Sequence, residues 1–238
     1  MKILIAGCGD LGVRVATKYL ADGAAVIGLV RSADSAARLA RAGIAPWIAD
    51  LDAAPVQLPG NTFDLVHHFA PPPRTGTTDP RTAALLAAIP HCGRLLYVST
   101  TAVYGDHGGA WIDELTPPAP GTDRGRRRLD AETQVRTWGA SIGTETIVLR
   151  VAAIWGPGRG GREPPRTPSG TPTPVNRIHV DDLAEVCIAA AARAPDGAVY
   201  DCADGAPTET GRMDESKRVR AQRIRDELGV TPRVAAQP

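Results

Sequence analysis

The sequence predicts an α/β protein built on a doubly wound parallel sheet, and three observations carry that expectation. Short apolar runs alternate with segments of helical periodicity through most of the 238 residues. The runs are continuous rather than alternating, the mark of strands buried on both faces by helices. Three glycines, Gly7, Gly9 and Gly12, fall where the first run gives way to the first helical segment. Composition allows one large core: 43% of residues are hydrophobic and the formal net charge is +1. Such a balance exerts no overall pull toward nucleic acid or a membrane surface.

The elements follow in order. KILIA (2–6) reads as a buried strand, and 11–21 as a helix with Leu11, Val15, Ala16 and Tyr19 near one face. AVIGLV (25–30) is a second strand, and 33–42 a helix stopped by Gly43. Residues 45–49 and 63–69 are further strands. Asp79-Pro80 has the chemistry of an N-cap followed by proline at the first helical position, opening a helix to about Ile89. RLLYVS (94–99) and TIVLRV (146–151) are strands with a helix over about 126–138 between them. A helix over 182–193 and a strand over 198–202 close the pattern, with Asp182 placed to cap that helix.

Two stretches break the alternation. Residues 156–176 hold six prolines and five glycines, and 204–214 is also turn-rich, so both are expected as loops. The tail 215–228 is expected to form a helix with Ala221, Ile224 and Leu228 on one side and its arginines solvated. The expected organisation is a dinucleotide-binding domain over 1–204, with 156–176 inserted from a small substrate lobe, and a linker and helix of that lobe over 205–238.

Cys8, Cys92, Cys187 and Cys202 form no C-x-x-C pair, so reduced, buried thiols in a cytoplasmic protein are expected, with neither a disulfide frame nor a metal site. Met1–Ala6 is too short for a signal-peptide core, and no apolar run approaches the ~18 residues of a membrane span.

The glycines assign a ligand. Gly7 permits the tight turn after the strand, Gly9 lets a pyrophosphate approach bare backbone, and Gly12 lets the helix pack close to the sheet. Asp10 and Leu11 open that helix, whose free N–H groups and positive dipole end suit phosphates. A strand before the glycines and a helix and second strand after them supply the context this motif needs. An acidic residue at the end of the second strand would bind the ribose 2′-hydroxyl of NAD. Arg31-Ser32 stands there instead, which suits the 2′-phosphate of NADP, with NAD as the alternative. Asp50-Leu51, after the third strand, is expected beside the adenine.

The middle of the chain resembles a known family. YVSTTAVYG (97–105), DELTPPAP (113–120), GRRRLDAE (125–132), LRVAAIWGPG (149–158) and RIHVDDLAEV (177–186) are similar to segments of the extended short-chain dehydrogenase/reductases, the group of nucleotide-sugar epimerases and dehydratases. With the N-terminal glycines the resemblance covers about 1–205. It implies a Rossmann domain, a bound NAD(P) and a substrate lobe. It also implies that Ala70 and one of His67 and His68, at the end of the fourth strand, line the cofactor cleft.

The family's chemistry uses a Ser/Thr, a Tyr and a Lys. Thr100 matches the first, four residues before Tyr104, and it also borders the cofactor. The Tyr position is Arg124 and the Lys position Arg128. An arginine side chain stays protonated and trades no proton near neutrality. This loss resembles an atypical subgroup in which an RGR run replaces the Tyr motif. Tyr104, just past a strand's carboxyl end, is either a substitute acid or a packing aromatic, and Trp111 and Glu114 belong either to the substrate side or to a surface loop. Two readings stay open: an NADP(H)-dependent oxidoreductase or epimerase with an atypical site, acting on a nucleotide sugar or small carbonyl compound, and a non-catalytic NADP(H)-binding sensor or interaction protein.

Overall fold

A computed structural model describes residues 1–53, 55–60, 62–157, 173–209 and 215–234. The first half runs β1 (Lys2–Ala6), α1 (Asp10–Ala21), β2 (Ala25–Val30), α2 (Ala33–Arg41), β3 (Ala45–Ile48), β4 (Phe63–His68) and α3 (Pro80–Ala88). It continues with β5 (Cys92–Thr100), a 3-10 turn (Thr101–Tyr104), β6 (Trp111–Ile112), α4 (Asp123–Ile142) and β7 (Glu145–Val151). The last part holds β8 (Ala153–Trp155), β9 (Pro174–Val175), β10 (Arg177–His179), α5 (Val180–Arg193), β11 (Val199–Cys202), β12 (Thr208–Glu209), β13 (Arg218–Val219) and α6 (Arg223–Asp226).

Seven strands form one sheet in the order β3-β2-β1-β4-β5-β7-β11, and every pair is parallel. This is the expected Rossmann fold. Leu11 and Val15 of α1, Leu39 of α2 and Leu183 of α5 pack into one core cluster. Leu85 and Leu86 of α3 and Ala131 and Val135 of α4 pack into the other. The helices after β1 and β4 therefore leave on opposite faces, which opens a crevice beyond the carboxyl ends of these two strands. Local chemistry starts the helices. Asp79 caps α3, its Oδ1 accepting from the N–H groups of Arg81 (3.1 Å) and Thr82 (3.2 Å). Thr122 caps α4, accepting from Gly125 N–H at 3.2 Å.

Four expectations are corrected here. The tail 215–228 is not one helix: Arg218–Val219 pairs with Trp111–Ile112 as a strand, and only Arg223–Asp226 is helical. Its apolar stripe is nevertheless real, since Ala221, Ile224 and Leu228 are all buried. Neither His67 nor His68 lines the cleft. Successive strand residues point to opposite faces, so His67 Nε2 meets the Tyr19 hydroxyl (3.1 Å) under α1 and His68 Nε2 meets the Thr82 hydroxyl (2.8 Å) under α3. Burial pushes both pKa values down to about 3, so both rings are neutral. Asp182 does not cap α5; His179 does, through Nδ1 to Asp181 N–H (3.2 Å), while Asp182 holds the Arg233 side chain and N–H. The fourth concerns Tyr104 and is described with the site.

Residues 205–209 and 215–234 are stitched into small sheets. β12 pairs with β9, and β13 with β6. Most of the expected loop 156–176, and 210–214 of the second loop, lie outside the described residues. All four cysteines are buried and free. Among the described residues, no helix is long and apolar enough to cross a membrane.

Candidate active site

The turn after β1 separates the three glycines by what each one faces. Gly7 has φ +77°, and a Cβ there would lie 2.4 Å from the Ala70 backbone nitrogen. Its N–H and that of Cys8 both donate to Leu29 O, at 3.1 and 3.0 Å, pinning the turn to β2. Gly12 brings α1 against the sheet: a Cβ would lie 3.0 Å from Cys8 Sγ and 3.2 Å from Ile5 Cγ2. Gly9 differs. Its φ is negative, −84°, and a Cβ would meet nothing nearer than Gly7 O at 3.9 Å. No neighbouring atom of the fold crowds position 9. Gly9 also gives α1 no side-chain cap, so the positive end of a 12-residue helix faces open space beside bare backbone. A dinucleotide's pyrophosphate fits this cradle. Cys8 beneath it is inert, its thiol pushed up to about 12 by burial. Leu11 is buried against the core, while Asp10 stays partly exposed and pairs with Arg14 (3.3 Å).

The rim follows β2 and β3. Arg31 and Ser32 are exposed, and the Ser32 hydroxyl caps α2 by accepting from Ser35 N–H (3.3 Å). Asp50 is exposed and shapes a turn, its Oδ1 accepting from Asp52 N–H (3.0 Å). Leu51 is buried in the cluster under α3 and α4, and Ala70 is buried beneath Gly7.

The far side is the end of β5. Thr100 is half-buried, and its Oγ1 accepts from Ala102 N–H (3.3 Å), which leaves the hydroxyl proton to donate elsewhere. Arg124 is exposed in the first turn of α4. Arg128, one helical turn on, donates from one nitrogen, Nη1, to Tyr97 Oη and Val98 O, both at 3.0 Å. It makes no other hydrogen bond among the described residues.

Tyr104 is the correction. It is 0% exposed, and its hydroxyl donates to the Asp201 carboxyl group, 3.0 Å from each oxygen. Burial, then the neighbouring Asp201, pushes its pKa far up. The expected substitute acid is thus absent from the crevice. Tyr104 belongs to a buried polar seam. Ser99 Oγ donates to Glu132 Oε1 (2.6 Å), Arg150 pairs with both Glu132 oxygens (Nη2–Oε2 2.8 Å), and the Arg150 guanidinium lies 4.8 Å from the Tyr104 ring centre. Glu114 reaches the same seam, its Oε1 accepting from Asp201 N–H (2.9 Å). Trp111 stays exposed, under the Arg220 guanidinium.

Residues 3–203 match the NAD dependent epimerase/dehydratase family. The chain belongs to that family. Among relatives, it is 29% identical over 205 residues to Protein YeeZ of Escherichia coli K12, spanning 76% of this chain and 70% of that protein. It is 28% identical over 254 aligned positions to a 4-hydroxy-2-methyl-3-oxo-4-farnesyl-3,4-dihydroquinoline-1-oxide ketoreductase of Stigmatella aurantiaca, covering 97% of this chain and 76% of that one. A conserved protein of unknown function from Silicibacter pomeroyi superposes with a TM-score of 0.79 at 30% identity, over 99% of this chain and 94% of the other.

For this epimerase/dehydratase-family chain, one feature of the rim was invisible in the sequence. Arg81, in the first turn of α3, grips Asp52 with two hydrogen bonds, Nε to Oδ1 (2.7 Å) and Nη2 to Oδ2 (2.6 Å). Its Nη1 donates to Pro71 O (3.1 Å). The clamp joins the turn after β3 to the proline run after β4, two segments brought together only by the sheet. A lone Asp and a lone Arg 29 residues apart carry no signal by themselves.

Proposed function

We propose that this protein is an NADP(H)-binding oxidoreductase or epimerase of the epimerase/dehydratase family, with arginines in place of the usual proton relay. One observation carries the reading: Gly9, where a Cβ would meet no atom of the fold closer than 3.9 Å, leaves open backbone at the uncapped start of α1. Gly7, Gly9, Asp10, Leu11, Gly12 and Ala70 would surround the pyrophosphate, Asp50 and Leu51 the adenine, and Arg31 and Ser32 the 2′-phosphate. Arg31 makes no ion pair among the described residues, and a guanidinium is matched to a phosphate.

A bound nicotinamide would supply or accept the hydride. Thr100 would donate its hydroxyl to a substrate oxygen. Arg128 keeps Nε and Nη2 for an anionic or hydroxyl-rich partner, held in place by Nη1 on Tyr97 and Val98. Arg124 offers fixed positive charge at the mouth. Neither arginine transfers a proton, so a reduced carbonyl oxygen would take its proton from water. A small carbonyl compound fits this arrangement, in keeping with the ketoreductase among the relatives; a nucleotide sugar is the other substrate class. A second reading, a non-catalytic NADP(H) sensor, draws on the burial of Tyr104, which removes the one tyrosine near Thr100 from the crevice.

The test is a fluorescence titration with NADPH of the parent and of Gly9→Val, followed by turnover against carbonyl compounds and sugar nucleotides. The parent should bind NADPH and the variant should not, with its circular dichroism unchanged. Equal affinity in both removes the phosphate cradle. Binding without turnover, persisting in Arg124→Tyr/Arg128→Lys, selects the sensor. Turnover that rises in that double variant by the 10²–10⁴-fold typical of positioned proton transfer supports a lost relay on a retained scaffold.

A further inference from the structure

We propose that Arg81 sets the preference for NADP(H) over NAD(H) from a distance, by neutralising Asp52 so that Arg31 is left for the 2′-phosphate. This rests on the 2′-phosphate reading of Arg31 given above.

The geometry starts with the pairing of β2 and β3. Val30 stands opposite Ile48, so Arg31 and the turn 50–52 leave the sheet side by side. The Arg81 hydrogen bonds are the main reason the Asp52 carboxyl is held below its usual value, and the charge of Arg31 adds a smaller pull in the same direction. Arg31 itself has no ion pair or hydrogen bond among the described residues. An unmatched Asp52 would therefore be an anion competing for Arg31, and it would repel a 2′-phosphate. The Arg81 fork occupies both Asp52 oxygens, which removes the competitor. Arg81 is anchored for this task by Pro71 O and by its place in the first turn of α3. It touches neither the 2′-phosphate position nor the reacting atoms, so it is a positioning residue.

The measurement is the dissociation constant for NADPH and for NADH of the parent, Arg81→Gln, Asp52→Asn and the double variant, by fluorescence at low salt. Exposed pairs of this kind are worth a few-fold. Arg81→Gln should weaken NADPH about 2- to 5-fold and leave NADH unchanged. The double variant should recover the parent's ratio, and Asp52→Asn alone should never lower it. The Arg81→Gln effect should fade near 1 M salt, where the screening length is about 3 Å. Equal weakening of both cofactors in Arg81→Gln would reduce Arg81 to a wall of the pocket and overturn the proposal. So would a double variant that stays weak for NADPH alone. If Arg81→Gln does not fold, Arg81→Lys carries the test, with a smaller loss in the same direction. A parent that binds NADPH and NADH alike overturns the Arg31 reading itself, and this proposal with it. That failure shows in the parent, before any variant is made.

Discussion

At the mouth of the crevice, Gly9 leaves backbone bare, Thr100 is half-buried, and Arg31 and Arg124 stand in solvent. Behind it, Ser99, Tyr104, Glu132, Arg150 and Asp201 are shut away and spend their polar atoms on one another. One short stretch, Ser99–Tyr104, feeds both regions. The strand's alternation turns Ser99 inward and Thr100 toward the mouth, and the 3-10 turn that follows carries Tyr104 back into the core. The difference teaches how to read a polar residue here. A group left with hydrogen-bonding capacity in reach of solvent is available to a ligand. A group satisfied inside the fold is part of the scaffold, whatever motif it sits in.

Glu132→Ala should have the largest effect. It would leave the Arg150 charge buried without its partner, which costs about 3–5 kcal/mol. Urea unfolding measures it, and the protein that remains folded should bind NADPH as the parent does. A loss under about 1 kcal/mol would show that the seam is not what holds α4 to β7.

Acid should attack the scaffold through His67 and His68. Their folded pKa values, about 3, lie below the ordinary 6.5 because burial disfavours the charged ring. Stability from a lowered pKa is fully present above 6.5 and is lost as pH falls toward 3. The slope is about 1.4 kcal/mol per pH unit for each histidine. Unfolding curves at stepped pH should show it, and His67→Phe should halve the slope. An unchanged slope in that variant would assign acid sensitivity to other groups.

Arg31→Ala belongs to the mouth and should leave stability alone. A charge-assisted hydrogen bond is worth about 1.5–3 kcal/mol, so NADPH affinity should fall roughly 10- to 150-fold while NADH affinity holds. Parallel titrations decide it; equal losses for the two cofactors would remove the 2′-phosphate from the account.

Tyr104→Phe should be the mildest change and draws the sharpest line between the regions. Burial raises the Asp201 carboxyl above the usual carboxylate range, and one lost intramolecular hydrogen bond is worth about 0.5–1.5 kcal/mol. NADPH affinity and any turnover should stay at parent levels, whereas Thr100→Val should lower turnover and keep the fold. Loss of turnover in Tyr104→Phe would return that tyrosine to the chemistry.

Much of the scaffold was legible because it rests on short-range rules. The continuous apolar runs became parallel strands, Asp79 capped α3, and the glycine turn joined β1 to α1 where the spacing placed it. Ala221, Ile224 and Leu228 were read as one side of a single helix; all three are buried, but only Arg223–Asp226 is helical. Pairing of Arg218–Val219 with β6 overrode the local helical pattern. Tyr104, the His67–His68 pair and Asp182 were misplaced for a related reason: their partners come from elsewhere in the sequence, Asp201, Tyr19 and Thr82, and Arg233.

The sequence by itself pointed to most of the strands and helices, to a tight turn at Gly7, and to arginine at positions 124 and 128. These are properties of single residues and their immediate spacing. Only the tertiary structure decided that Gly9 is the glycine with open space around it, that Tyr104 is sealed against Asp201, and that Arg81 reaches Asp52. Each depends on the distance between atoms that the chain brings together across the sheet, and no local pattern encodes such a distance.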